Sequence, residues 1–163
     1  MLNSNKLTIR KGLPADIPQV LALIRELAEY ERAAGEVEVS EQELLEDGFG
    51  HDSAYGLFVA EAEKDIVGIA LYYEKYSTWK GRCLFLEDLV VRESFRSMGI
   101  GSRLFDKVVE VAKEKNYRRL EWQVLEWNEP AIAFYRKKGA ILDPEWINGK
   151  LTYSQLQLFE TGV

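Results

Sequence analysis

Residues 89–102 read LVVRESFRSMGIGS and decide the fold of this chain. The segment begins as the apolar end of a strand, and from Gly101 onward apolar side chains recur at helical spacing. Gly99 and Gly101 let the backbone approach a ligand, and the first N–H groups of a helix attract an anion together with the helix dipole. The cations of this region are Arg92, Arg96 and Arg103. The stretch therefore predicts a strand, a loop and a helix that bind a phosphate or pyrophosphate, with a purely structural turn as the alternative.

The two common nucleotide-binding loops do not fit these residues. A P-loop needs lysine and then serine or threonine directly after its last glycine, whereas Gly101 is followed by Ser102 and Arg103. A dinucleotide-binding loop needs a third small residue, and Leu104 stands in that place. The predicted anion site is therefore of another kind.

Apolar periodicity divides the chain into elements of the order β-α-α-β-β-β-α-β-α-β. Asp16 is expected to cap the first helix, and Ser40 with Glu43 forms a capping box for the second, which Gly48 ends. This order predicts an α/β (α+β) fold in which a mixed central sheet carries helices on both faces. The predicted strands are 6–10, 56–61, 66–76, 84–91, 119–125 and 151–159, and the predicted longer helices are 16–32, 101–115 and 130–138.

The composition is that of one ordinary globular domain. The chain has 163 residues, 47% hydrophobic and 29% charged, so we expect a single domain over 1–163 with its core at about 6–159. The longest apolar stretch, 66–73, is far shorter than the ~20 residues of a membrane-spanning helix, and no signal peptide is expected. The single cysteine, Cys83, favours a reducing, cytoplasmic compartment. With one cysteine and one histidine, His51, no metal site is assigned.

The net charge of −6 argues against a nucleic-acid partner, because such proteins usually carry the opposite sign. The acid is concentrated between residues 29 and 47, where eight carboxylates stand against one base, Arg32. Two interpretations stay open for this acidic segment: a solvated face, or an electrostatic guide for a cationic ligand.

The pattern Arg96-x-x-Gly99-x-Gly101 resembles the acetyl-CoA pyrophosphate loop of the GNAT (N-acetyltransferase) superfamily. Further stretches resemble its diamine (spermidine/spermine) and thialysine acetyltransferase branch, and the likeness extends from about residue 6 to 159. These stretches are LAEYE at 27–31, LLEDGFG at 44–50, LED at 86–88, GIGS at 99–102 and EWNEP at 126–130.

The resemblance implies an acetyl-CoA site made of a strand backbone, a loop and the start of a helix. The strand would bind the pantetheine arm through its backbone, and a backbone N–H near Leu89 would polarise the thioester carbonyl. Asn128 would contact the pantetheine arm or simply cap its helix. The implied cofactor-binding residues are Leu89, Val90, Val91, Arg96, Ser97, Met98, Gly99, Ile100, Gly101, Ser102, Asn128, Glu129, Pro130, Ala131 and Tyr135.

Two side chains are implied as catalytic. A primary alkylamine has a pKa near ~10.4, so a carboxylate must take its proton before it attacks, and Glu87 is the implied base. Tyr135 would protonate the departing CoA thiolate. Because side chains alternate along a regular strand, Asp88 is expected to point away from Glu87. A solvated strand glutamate and a packing tyrosine are the structural alternatives.

The implied substrate is a small cationic amine: a polyamine, a diamine or a thialysine-like amino acid. The implied substrate-binding residues are Tyr30, Glu31, Glu87, Glu121, Trp122, Gln123 and Glu145. Aromatic rings beside carboxylates suit an ammonium ion, although the types at 121–123 and the short loop before Trp146 depart from the polyamine enzymes.

The resemblance also suggests a homodimer that exchanges C-terminal strands at 151–159. Three alternatives stay open: a peptide or protein lysine acetyltransferase, a non-catalytic acyl-CoA-binding module, and a dimeric interaction protein with a degenerate site.

Overall fold

The computed structural model describes residues 7–162, which form two compact units, one up to Gln123 and one from Val124 onward. The first unit is built on a five-stranded sheet of order β1-β2-β3-β4-β5, antiparallel except for the parallel pair β4–β5. Its strands are β1 (Leu7–Lys11), β2 (Gly56–Ala62), β3 (Asp65–Ser77), β4 (Gly81–Val91) and β5 (Leu120–Glu121), and its helices are α1 (Ile17–Tyr30), α2 (Glu41–Phe49) and α3 (Ile100–Glu114). The second unit contains α4 (Glu129–Lys137) and α5 (Tyr153–Leu158).

Helices α1 and α3 pack on opposite faces of the sheet, as the sequence predicts. Side chains alternate along β3, so Gly68 and Ile69 face opposite sides. Ile69 belongs to the buried cluster that contains Val20 of α1. At Gly68, an added Cβ would lie 3.1 Å from Leu104 of α3. The mixed sheet with a helix on each face is therefore confirmed.

Strand β4 contains one residue too many for regular pairing with β3. Leu71 pairs with Asp88 and Tyr72 with Leu86, which leaves Glu87 as the extra residue of a β-bulge. A bulge interrupts the alternation of side chains, and this one lies among the residues predicted to do chemistry.

The first helix begins where predicted, but Asp16 does not cap it. The Asp16 carboxylate accepts hydrogen bonds from both terminal nitrogens of Arg10, at 2.7 and 2.9 Å, and from the Leu13 N–H at 2.7 Å. The buried carboxylate thus ties the end of β1 to the turn before α1. The capping box of Ser40 and Glu43 at α2 is confirmed, and the helix runs one residue beyond Gly48 to Phe49.

The two last predicted strands are corrected by the structure. The strand expected at 119–125 is reduced to Leu120–Glu121. The strand expected at 151–159 is wrong, because Tyr153–Leu158 is a short helix. Thr152 and Gln155 form a capping box there, which starts a helix in spite of the alternating apolar pattern. Within residues 7–162, none of the helices is long and apolar enough to cross a membrane.

Candidate active site

The predicted anion loop has the geometry of a backbone cradle. After β4 the chain makes a short turn at Glu93–Phe95 and then enters α3, with Ser97 and Gly99 at positive φ of 62° and 77°. When right-handed and left-handed backbone conformations alternate along a loop, successive N–H groups point toward the same position. The N–H groups in the first turn of a helix also lack intrahelical acceptors. Ile100, only 1% exposed, anchors the helix start in the core. The loop is therefore suited to a phosphate or pyrophosphate.

The loop arginines contact the last two turns of α1. Arg96 Nε donates to the Val91 carbonyl at 3.0 Å, and its guanidinium carbon lies 5.3 Å from the centroid of the Tyr30 ring. Arg92 Nε lies 3.7 Å from Glu26 Oε1. The structure thus joins the loop to Tyr30, a residue predicted for the substrate site.

The backbone at the end of β4 is paired on one side by β3. Leu89, Val90 and Val91 pair with Ala70, Ile69 and Gly68. On the other side, the pairing with β5 in the described part of the chain covers Leu84 and Phe85 only. The strand end therefore leaves the β5 ladder before Leu89, which is the geometry expected of a strand that binds a ligand through its backbone.

The bulge at Glu87 brings two neighbouring carboxylates to the α1 face of the sheet. Asp88 pairs with Leu71, whose side chain belongs to the cluster packed on α1. Tyr73 lies two positions along the same face, and its burial together with the nearby Glu87 carboxylate raises the pKa of Tyr73 to about 12. The expectation that Asp88 points away from Glu87 is therefore wrong, because it assumed a regular strand.

Asp88 is the most perturbed carboxyl group of this face. Burial, and then the negative charges of Glu87 and Glu31, raise its pKa to about 6. Burial also raises the pKa of Glu31, which follows the last residue of α1. We call Glu31, Glu87 and Asp88 the acid cluster. Sequence reasoning missed Asp88, and no residue type in the pattern at 84–91 signals the bulge that turns it.

None of the three residues predicted at 121–123 belongs to the acid cluster. Glu121 pairs with Phe85 in the sheet and lies 3.3 Å from Lys75 Nζ and 3.2 Å from Arg119 Nε, so its charge is already matched by two cations. The ring of Trp122 meets that of Phe105 of α3 edge to face at 5.5 Å. Because Phe105 is buried in α3, Trp122 is a packing residue of the other face. Gln123 is exposed at the end of the first unit.

The second unit holds the remaining predicted residues at and around α4. Asn128 is buried, and its side-chain oxygen accepts from the Ala131 N–H at 3.3 Å, so it caps α4. Tyr135 is buried and meets Phe134 edge to face. Glu129 and Pro130 are exposed in the first turn. Glu145 is exposed in the segment between α4 and α5, where its N–H donates to Asp143.

The first unit thus carries an anion cradle after the end of β4 and, on β4 and at the end of α1, a cluster of carboxylates suited to a cation. The chain matches the sequence model of the acetyltransferase (GNAT) family over residues 20–140, and it belongs to this family. Acetyltransferases of this family use acetyl-CoA, and the chain is an N-acetyltransferase that acts on amines.

Individual relatives and solved structures show which acetyltransferases this chain resembles. A thialysine N-epsilon-acetyltransferase from Bos taurus is 44% identical over 140 residues, which cover 81% of this chain and 82% of that protein. The spermidine/spermine N(1)-acetyltransferase-like protein 1 of Homo sapiens is 32% identical over 82% of this chain and 20% of its own length. Among solved structures, the aminoglycoside N-acetyltransferase AAC(6')-Iy in complex with CoA shares the fold, with a TM-score of 0.72 at 18% identity over 89% of this chain and 94% of that one.

Proposed function

We propose that the chain transfers the acetyl group of acetyl-CoA to the primary amine of a small cation, by direct attack in a ternary complex. Thialysine, diamines and polyamines are the candidate acceptors, and the names of the relatives support this choice. The observation that carries the proposal is the acid cluster, in which burial and the negative charges of Glu87 and Glu31 raise the pKa of Asp88 to about 6.

The acid cluster supplies both the binding charge and the base. An alkylammonium has a pKa near ~10.4, so the acceptor arrives protonated and is attracted by the carboxylates. Asp88, with a pKa raised to about 6, is more basic than an ordinary aspartate yet ionised at neutral pH, as a general base requires. Glu87, which lies beside Tyr73, is the second candidate for this role and a further carboxylate for binding the ammonium.

The group transfer balances without an external reactant. The acid cluster takes one proton from the ammonium, the neutral amine nitrogen forms a bond to the acetyl carbon, and the carbon–sulfur bond breaks. The thiolate takes a proton from its donor, and the nitrogen loses its second proton as the amide forms, which replaces the donated proton. The proton on the acid cluster leaves to solvent. A backbone N–H near Leu89 polarises the carbonyl, and the phenol of Tyr135 is the proposed proton donor to the thiolate. The residues proposed to hold acetyl-CoA are the loop from Arg96 to Ser102 and the start of α4.

We also propose that the active protein is a homodimer. The segment that follows α4 exposes large apolar side chains, with Ile141 and Ile147 each 95% exposed and Leu158 81% exposed. Exposed apolar surface of this extent is typical of an interaction site. Because the structure has a helix at Tyr153–Leu158, the exchange of strands at 151–159 is not part of the proposal.

A thiol-release assay tests the function. Acetyl-CoA is offered with thialysine, lysine, diamines, polyamines, an aminoglycoside and lysine-containing peptides, and the release of CoA thiol is measured. We expect turnover with the free amines at useful KM and none with the peptides. CoA binding without thiol release from any amine would instead support a non-catalytic acyl-CoA-binding module, and turnover confined to peptides would support a protein acetyltransferase.

A further inference from the structure

The cofactor loop and the amine-binding end of α1 share one aromatic ring. The guanidinium carbon of Arg96 lies 5.3 Å from the centroid of the Tyr30 ring, within the range of a cation–π contact. Tyr30 is the last residue of α1 and directly precedes Glu31 of the acid cluster. One turn earlier, Glu26 faces Arg92 at 3.7 Å. A loop that binds the donor therefore holds the end of the helix that carries part of the acceptor site.

We propose that Arg96 and the substrate ammonium compete for the face of Tyr30, so that donor and acceptor bind cooperatively. The inference rests on the proposed function, in which Arg96 binds the pyrophosphate and Tyr30 with Glu31 binds the amine. A face of a tyrosine ring seats one cation at a time, because its attraction comes from the negative potential over the ring. Before the donor binds, that cation is Arg96.

The donor removes this competition in two ways. A guanidinium gains more from a charged phosphate oxygen than from a half-exposed ring, so Arg96 leaves Tyr30 when the pyrophosphate arrives. The same pairing neutralises the positive charge that Arg96 holds over the Tyr30 ring, which removes a repulsion felt by the incoming ammonium. Both effects favour amine binding after the donor, and by linkage the amine favours the donor equally.

The size of the coupling follows from the strength of the contact. An exposed or half-exposed cation–π pair changes a binding constant by about three- to tenfold. We therefore expect thialysine to bind the wild-type protein about three to ten times more tightly when CoA is present. CoA serves as the probe because it carries the pyrophosphate and no acetyl group, so binding is measured without turnover.

Isothermal titration with thialysine, with and without saturating CoA, tests the proposal in four variants. Arg96→Gln removes the competing guanidinium, so thialysine should bind without CoA about three to ten times more tightly than it binds wild type, and CoA should add less than twofold. Tyr30→Phe keeps the ring and should keep the coupling. Tyr30→Leu removes the shared ring and should bind thialysine weakly in both conditions. Arg25→Gln removes the same charge from an exposed position of α1 and should behave as wild type.

Two results separate the failure of this inference from that of the proposed function. The proposed competition for the Tyr30 ring is wrong if wild type binds thialysine equally with and without CoA. It is also wrong if, without CoA, Arg96→Gln binds thialysine no better than wild type does. Neither result contradicts amine acetylation. If Arg25→Gln tightens thialysine binding as much as Arg96→Gln does, the loss of one positive charge explains the effect, and the proposed competition for the Tyr30 ring is wrong. If wild type neither binds thialysine nor releases thiol with any amine, the proposed function itself fails.

Discussion

Asp88 is ionised at neutral pH only at a cost in stability. Its pKa is raised from 3.8 to about 6 by burial and by two neighbouring carboxylates. Between about pH 4 and pH 6 the folded state therefore binds more protons than the unfolded state, and the free energy of unfolding falls as the pH rises. The residue that suits proton transfer is thus also a local source of instability.

Replacing this aspartate should separate stability from activity. Asp88→Asn keeps the shape and stays neutral, so at pH 8 we expect it to raise the free energy of unfolding by about 1–3 kcal/mol. At pH 4 most of the gain should be lost, and below about pH 3 it should vanish, because Asp88 is then protonated in the folded and the unfolded state. Thiol release with thialysine should fall by about a hundredfold or more.

Urea unfolding at pH 4 and pH 8 checks this prediction, with Asp65→Asn as the control. Asp65 is exposed at the start of β3, so its variant should change neither stability nor rate. A stability gain for Asp88→Asn that is equal at both pH values would mean that the charge of Asp88 is not the cause. If turnover falls only in Glu87→Gln, the base is Glu87.

Tyr135 is a buried phenol on α4 and the proposed acid for the thiolate. Tyr135→Phe keeps the ring and loses the hydroxyl, so we expect kcat to fall tenfold or more while the Kd for CoA stays within about twofold. Steady-state rates and CoA titration measure the two quantities. Tyr153→Phe, an exposed tyrosine of the same unit, is the control. Unchanged kcat in Tyr135→Phe would remove Tyr135 as the acid.

At the scale of elements, the loop before α3 depends on one backbone conformation. Gly99 has a φ of 77°, which residues with a side chain rarely adopt, although a Cβ added here would meet open space. Gly99→Ala therefore tests conformation rather than crowding. We expect it to weaken CoA binding about tenfold and to lower stability by about 1 kcal/mol.

The matched control for this loop is Gly35→Ala, where the added Cβ also meets open space but φ is not in the left-handed region. It should leave the Kd for CoA unchanged. Isothermal titration with CoA measures both variants. Equal Kd values for Gly99→Ala and wild type would show that the cradle does not need the left-handed residue at this position.

Elements with strong local signals were predictable from sequence, and those that depend on pairing were not. The glycines and apolar periodicity at 89–102 gave the strand, loop and helix, and Ser40 with Glu43 marked the start of α2. The bulge at Glu87 depends on the register between β3 and β4, which no local pattern records. The segment 151–159 alternates like a strand, yet a capping box at Thr152 starts a helix.

At the scale of the molecule, charge and apolar surface are unevenly distributed. The acidic residues at 29–47 begin beside Tyr30 and Glu31, and Arg92, Arg96 and Arg103 lie in and beside the loop proposed to bind the anionic donor. This division favours a cationic acceptor and an anionic donor, so the acidic segment is more than a solvated face in the proposed function. The apolar side chains exposed after α4 are the surface on which the proposed partner subunit would pack.

The proposed homodimer is tested by sedimentation equilibrium. We expect wild type to have twice the mass of the chain, because exposed apolar side chains such as Ile147 and Leu158 gain by burial in an interface. The double variant Ile147→Asp with Leu158→Asp should sediment as a monomer. Gln157→Asp adds a charge to α5 without removing an apolar group and should stay dimeric. A wild-type monomer across the micromolar range would contradict the proposal.

The acid cluster as acceptor site and base is tested most directly by the pH dependence of kcat/KM for thialysine. If the cluster binds the ammonium and takes its proton, kcat/KM rises through an apparent pKa near 6, in line with the raised pKa of Asp88, and is then level to above pH 8. If the enzyme instead takes only neutral amine from solution, kcat/KM rises about tenfold per pH unit until the pKa of the amine, near ~10. The first profile is the one we predict, and the second would contradict it.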